Sequence, residues 1–357
     1  MTELKKQKNY DFIDSIRFIS MIGIVMEHST LFWGKHYTIL HDQIIQTVSL
    51  QVFKFGTIIF FLLSGFLIGD KFATYNSKEY MKRRFDNTFK PWLFWCFMML
   101  FLTYLDMYVR YAKFGDPDLI TNPVPVFFEN IVHITMFTAY WFILNFMICI
   151  GTLLLFRKYI HSNIFGAILG LLSLLYSLNL YVHWFPTAHT IAFLGFIFYL
   201  WLGFKINVHY DKFVAFINRI RLLPILLLVV LTFTAACWES VHLMDSIPDD
   251  PFNTLRLSNI IYSLVAFVFL FKYANLPFIS RLKPRQTTFG IYLIHQLLVF
   301  YLLPLIFKPL GISNEQDSIW FLVALQFIRF FIVYAGAYVL ALAISKLPKG
   351  ARWVIGQ

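Results

Sequence analysis

Charged side chains are scarce in this 357-residue sequence, at 14%, where a soluble domain carries about 25%. Cysteine is scarcer still. Cys96, Cys149 and Cys237 are odd in number and lie in apolar runs, which excludes a disulfide framework or a zinc pattern. The ten His are scattered without metal-ligand spacing, so no metal site is expected. No Ser or Cys has a matching base at a motif position. There is no internal repeat, low-complexity tract or separate soluble domain. A cleavable signal peptide is not expected either, because Arg17, Glu27 and His28 interrupt the first apolar stretch.

What is abundant is apolar surface. Hydrophobic residues make up 59% of the chain, aromatic residues 20%, and 42 residues are Phe. Mean hydropathy is +0.67. A water-facing domain cannot hide that much apolar area. A soluble enzyme, a disordered protein and a coiled coil are excluded, which leaves a polytopic helical membrane protein. About 20 apolar residues cross a bilayer as a helix. Ten segments qualify or nearly do: 12–33, 44–68, 91–109, 140–156, 163–183, 187–204, 222–239, 256–271, 288–308 and 318–345. The fold expected is an all-α bundle of about ten transmembrane helices: tail 1–11, transmembrane domain 12–346 and tail 347–357.

The net charge of +11 would suggest nucleic acid in a soluble protein, but in a membrane protein its distribution sets orientation. With the N-terminus in the cytoplasm, 22 of the 30 Lys and Arg fall inside. They include Lys5, Lys6, Lys8, Lys82, Arg83, Arg84 and Lys90. Five fall outside, and Arg17, Lys54 and Arg329 lie within spans. Outer loops collect Asp116, Asp118, Glu129, Asp245, Asp249, Asp250, Glu315 and Asp317. Both termini are therefore expected in the cytoplasm, with no role in nucleic-acid binding. In the longest outer loop, residues 126–138 have apolar side chains at helical spacing, which fits a helix on the membrane surface or a loop packed over the bundle.

Ionisable groups inside spans are costly and mark functional candidates. The first span carries Asp14, Arg17, Glu27 and His28. Arg17 and His28 are eleven residues apart, roughly 16 Å along a helix and within roughly 20° of one face. Asp14 lies one turn below Arg17 and can pair with it. Two readings stand: a snorkelling arginine and a satisfied core histidine, or one polar stripe with a function. Lys54 and Arg329 are deep in their spans, and Glu27 is a natural counter-charge for either.

The run of Asp14, Ser15, Ile16 and Arg17, followed at His28, resembles the first span of the acyltransferase 3 family of integral membrane O-acyltransferases. Residues 60–67, FFLLSGFL, are similar to its second-span signature. Tyr80, Arg83, Arg84, Pro91 and Trp92 resemble its basic inner loop. Trp141, Phe142 and Leu144 resemble the fourth-span motif of members without an appended domain, and residues 199–203 and 289–295 match later landmarks. The resemblance covers residues 12 to about 300. It departs from the family where Arg-x-x-Arg is usual: Arg83 and Arg84 are followed by Asp86 and Asn87, and Lys90 alone offers a second charge. Ile58 is apolar where some members carry Asp.

The resemblance implies a multi-pass protein of a bacterial cell membrane. It implies transfer of an acyl group, commonly acetyl, from cytoplasmic acyl-CoA to a hydroxyl of an envelope glycan or lipid-linked sugar. Acyl-CoA is then a co-substrate, and no bound cofactor is needed. His28 would be the general base, with Arg17, Asp14 and Glu27 around it. Arg83, Arg84 and Lys90 would attract the donor's phosphates. Ser64, Tyr292 and His295 would border the donor channel, and Lys54 and Trp141 the acceptor side. Plainer readings remain: a positive-inside loop, a small Ser64–Gly65 pair for helix packing, a core hydrogen bond for Tyr292 or His295, and an interface belt for Trp141. A transporter or flippase, or a non-catalytic component of glycan export, is the alternative function.

Overall fold

The computed structural model describes residues 11–357 apart from 73, 118–120, 247–249 and 312–317. The N-terminal tail with Lys5, Lys6 and Lys8, and the loop acids Asp118, Asp249, Glu315 and Asp317, lie outside the described residues. The described residues contain helices and connecting turns and no strand. In chain order the helices are α1 (Asp11–His28), α2 (Leu40–Gln51), α3 (Gly56–Phe72), α4 (Ser77–Phe114), α5 (Pro123–Met136), α6 (Trp141–Leu155) and α7 (Asn163–Val182). They continue with α8 (Ile197–Val208), α9 (Tyr210–Arg219), α10 (Leu222–Leu243), α11 (Leu257–Tyr273), α12 (Pro284–Leu310) and α13 (Ile319–Ser345).

Six helical stretches among the described residues are long and apolar enough to cross a membrane: α2 with α3, α4, α7, α10, α12 and α13. The pair α5 and α6, bent by 70°, makes a seventh if counted as one span. Three of the ten expected segments fall short of that measure. Helix α1 has 18 residues but carries Asp11, Asp14, Arg17 and Glu27. Helix α11 has 17 residues and α8 only 12. The shortening of α8 has a local cause. His183 closes α7 in the left-handed conformation at φ 56°, and Pro186 then supplies no backbone N–H. Residues 183–196 thus form a loop with one short turn at His189–Ile191.

Two features of chain chemistry shape the centre. Helices α3 and α8 touch backbone to backbone, because a Cβ at Gly65 would sit 1.8 Å from the Leu200 carbonyl oxygen. A Cβ at Gly203 would sit 2.0 Å from that of Leu62, so Gly65 serves helix packing, whereas Ser64 beside it lines a cavity. The second feature is a widened turn ahead of a proline. Pro91 has no N–H for the carbonyl four residues back, and the helix relaxes into a π-turn over Phe85–Phe89. Pro304 follows a π-turn over Leu298–Leu302 in α12 in the same way. An Asn76–Glu79 capping box starts α4 and fixes where its basic turn begins.

The core lies where α1, α3, α6, α8, α12 and α13 meet. Helix α10, with Leu227, Val230 and Leu231 exposed, presents an apolar outer face suited to lipid. The C-terminal segment folds back under the bundle: Trp95 donates through Nε1 to the Val354 carbonyl at 2.7 Å.

Candidate active site

Helix α1 turns one face toward two consecutive cavities. The larger, about 390 Å³, is lined by Arg17, Met21 and Ile24 of α1, by Phe60 and Ser64 of α3, by Arg84 and Asn87, and by Phe142, Arg285 and Tyr292. The smaller, about 30 Å³, is lined by Ile24, Glu27 and His28 of α1 with Thr57, Trp141, His189, Thr254 and Tyr292. Ile24, Phe142 and Tyr292 belong to both. Arg17, Met21, Ile24 and His28 follow helical spacing, so the polar stripe read from the sequence is a physical lining. Arg17 opens into one cavity and His28 into the next.

The larger cavity is cationic at its mouth. Asp14 accepts from Arg285 Nε at 2.8 and 3.0 Å and from Arg17 at 3.4 Å. Arg17, Arg84 and Arg285 thus line this end together, with Asp14 paired to two of them, Arg17 and Arg285. Arg84 is steadied from behind, donating from Nε to the Tyr80 hydroxyl at 2.7 Å. The widened turn at Phe85–Phe89 brings Asn87 onto the same wall. The other two basic candidates point elsewhere. Arg83 lies over the Tyr75 ring at 4.2 Å, and Lys90 pairs with Asp86 at 2.6 Å. The second charge near Arg84 comes from Arg17 and Arg285 rather than from Lys90.

The smaller cavity is bounded by satisfied groups and by imidazoles with free nitrogens. Glu27 accepts from Lys54 Nζ at 2.7 Å, one of the two pairings the buried charges suggested, and the Lys54 side chain is 1% exposed. Lys54 sits in the break between α2 and α3, 5.1 Å from the Trp33 ring centroid. Arg329 donates to the Ser29 carbonyl at 2.7 Å, just past the C-terminal end of α1, where a cation meets the helix dipole. Tyr292 lines both cavities and donates its hydroxyl to the Ala139 carbonyl. His295 is fully buried, and its Nδ1 donates to the Tyr292 carbonyl at 2.6 Å. Its Nε2 has no partner, and its ring centroid is 5.5 Å from that of His28. Trp141 is buried, 6% exposed, with its ring edge-on to His189 at 5.2 Å. It is a wall of the site and not a membrane-belt residue.

Sequence reasoning missed three residues. Arg285 counted only as an inner-loop cation, and its reach to Asp14 depends on how α12 starts against α1. His189 and Asp250 come from two loops 61 residues apart, and their side chains meet at 2.6 Å. Burial raises the energy of the ionised Asp250, but the contact with His189 outweighs it and holds the carboxyl below its usual value.

Residues 10–346 match a family model described as an acyltransferase domain, that of the acyltransferase 3 family. No curated protein and no solved structure matches the chain.

Proposed function

The chain belongs to the acyltransferase 3 family, and from that premise we propose that it moves an acyl group, acetyl in the simplest case, from cytoplasmic acyl-CoA to a hydroxyl of an envelope glycan or lipid-linked sugar. The observation that carries this reading is the pair of cavities meeting along one face of α1. A cationic compartment at one end leads past apolar walls to an imidazole at the other.

In this reading the ten apolar segments cross a bacterial cytoplasmic membrane with both termini inside, in line with the skew of Lys and Arg. Phosphates of the donor meet Arg17, Arg84 and Arg285, whose planar guanidinium groups suit bidentate contact with phosphate oxygens. The pantetheine arm lies along Ser64, Phe60 and Met21, and the thioester reaches the junction at Ile24, Phe142 and Tyr292. The acceptor hydroxyl approaches His28 from the opposite side. Its O–H bond breaks as its oxygen bonds to the acyl carbon, and the proton passes to the unprotonated nitrogen of His28. The C–S bond then breaks, and the departing thiolate takes that proton back. His295 suits a positioning role: its Nδ1 proton is fixed on a backbone carbonyl, so its Nε2 lone pair is left to accept an N–H from the His28 ring.

The test uses vesicles that hold the full chain, an envelope glycan fraction, and labelled acetyl-CoA or succinyl-CoA. Label should enter the glycan fraction, and charge removal at Arg84 should raise the donor concentration needed. No transfer from either donor contradicts the reading. Transport of label without covalent attachment would favour a carrier.

A further inference from the structure

The smaller cavity holds a second imidazole that the acyl-transfer step does not use. His189 lies on the loop before α8, and Asp250 on the loop before α11. A carboxylate oxygen only accepts, so the 2.6 Å contact fixes the His189 proton on Nδ1. Asp250 is itself anchored, accepting from Asn253 Nδ2 at 2.8 Å, and Asn253 also donates to the Thr187 carbonyl at 2.8 Å. The ring is further held edge-on by Trp141. In the uncharged ring the lone pair then lies on His189 Nε2, which has no hydrogen-bond partner among the described residues, and the ring lines the same cavity as His28.

We propose that the His189–Asp250 dyad binds the acceptor, taking a hydrogen bond at His189 Nε2 from a hydroxyl adjacent to the one that reacts at His28. This rests on the acyltransferase reading and names the acceptor's chemistry: a carbohydrate with two neighbouring hydroxyls. Both loops lie at the far end of the helices from Arg84 and Arg285, which places the dyad away from the donor mouth. A cavity of about 30 Å³ admits one or two water-sized groups. That suits the hydroxyl edge of a sugar and excludes its ring. His189 and Asp250 are acceptor-binding and positioning residues here, and proton transfer stays with His28.

The experiment uses vesicles holding the full chain, labelled acetyl-CoA (with succinyl-CoA as a second donor) at saturation, and increasing amounts of an envelope glycan fraction. His189→Ala should raise the half-saturating amount of glycan by roughly 10-fold, the loss of one buried hydrogen bond, while the donor KM stays at its wild-type value. His189→Gln, whose amide oxygen can still accept from a hydroxyl, should recover part of the loss. Asp250→Asn should move acceptor dependence in the same direction as His189→Ala. Glycan whose vicinal diols have been cleaved by periodate, which removes the reacting hydroxyl together with its neighbour, should accept no label from the wild type. An unchanged acceptor dependence in His189→Ala, an equal loss toward donor and acceptor, or full use of the periodate-treated glycan overturns the proposal. Wild-type vesicles that transfer no label remove the acyltransferase reading and the dyad with it. Wild-type transfer with an indifferent His189→Ala removes the dyad alone.

Discussion

Arg17 and His28, eleven residues apart on one helix, open into two consecutive cavities that share Ile24, Phe142 and Tyr292 as their common wall. A guanidinium and an imidazole are thereby held on one rigid rod. Their separation is set by helix geometry and does not depend on a loop.

That relationship separates the basic residues by function. Arg84 lines the cationic cavity, whereas Arg83 covers Tyr75. Arg84→Gln should raise the acyl-CoA KM roughly 10- to 100-fold, the range for a lost hydrogen bond to a charged group. Arg83→Gln should leave it unchanged. Donor titrations of the two variants side by side check this.

Glu27 and Lys54 form a pair in which Lys54 is almost wholly removed from solvent. Removing one partner leaves a buried charge, and Lys54→Met alone should destabilise the protein by about 3–5 kcal/mol. Adding Glu27→Gln to it should restore much of the loss. Thermal unfolding in detergent of the two single variants and the double variant measures the coupling.

Helix contact at Gly65 leaves no room for a methyl group. Gly65→Ala places a Cβ against the Leu200 carbonyl, and the helices must part, at a cost of about 1–3 kcal/mol. Lower Tm and lower yield of folded protein should follow. Gly350, around which no heavy atom lies within 4 Å of an added Cβ, should accept Ala without that penalty.

The Asp250 pair sets a pH dependence with a definite sign. Its carboxyl is held below its ordinary value by His189 despite burial. A depressed carboxyl stabilises the fold above its unfolded pKa, about 3.9, and that stabilisation is lost as pH falls through the lower folded value. The stability difference between wild type and Asp250→Asn should therefore shrink as pH falls below about 4. Unfolding scans across that window read it directly.

Much of the site was legible because helical periodicity is local. The Arg17–His28 stripe follows from spacing alone, and a counter-charge for Glu27 follows from the cost of burying charge. The helical segment before α6 also appeared where apolar spacing placed it, at Pro123–Met136. What was not legible is long-range. Arg285 reaches Asp14 across 271 residues, and His189 reaches Asp250 across 61, through loops whose paths no periodicity encodes. The apolar window at 187–204 is α-helical only from Ile197 onward, because hydropathy alone does not separate a loop from a helix. His183 and Pro186 were the local signs that the helix starts later. The pairing of Lys90 with Asp86 four residues before it is local, but the π-turn over Phe85–Phe89 that precedes Pro91 has no signature in hydropathy.

The most direct test replaces His28 with Ala and follows label from acyl-CoA into envelope glycan in vesicles, with donor binding measured in parallel. Loss of a general base should lower transfer by about 10²- to 10⁴-fold while donor affinity is retained. Wild-type rates of transfer in His28→Ala would contradict the account.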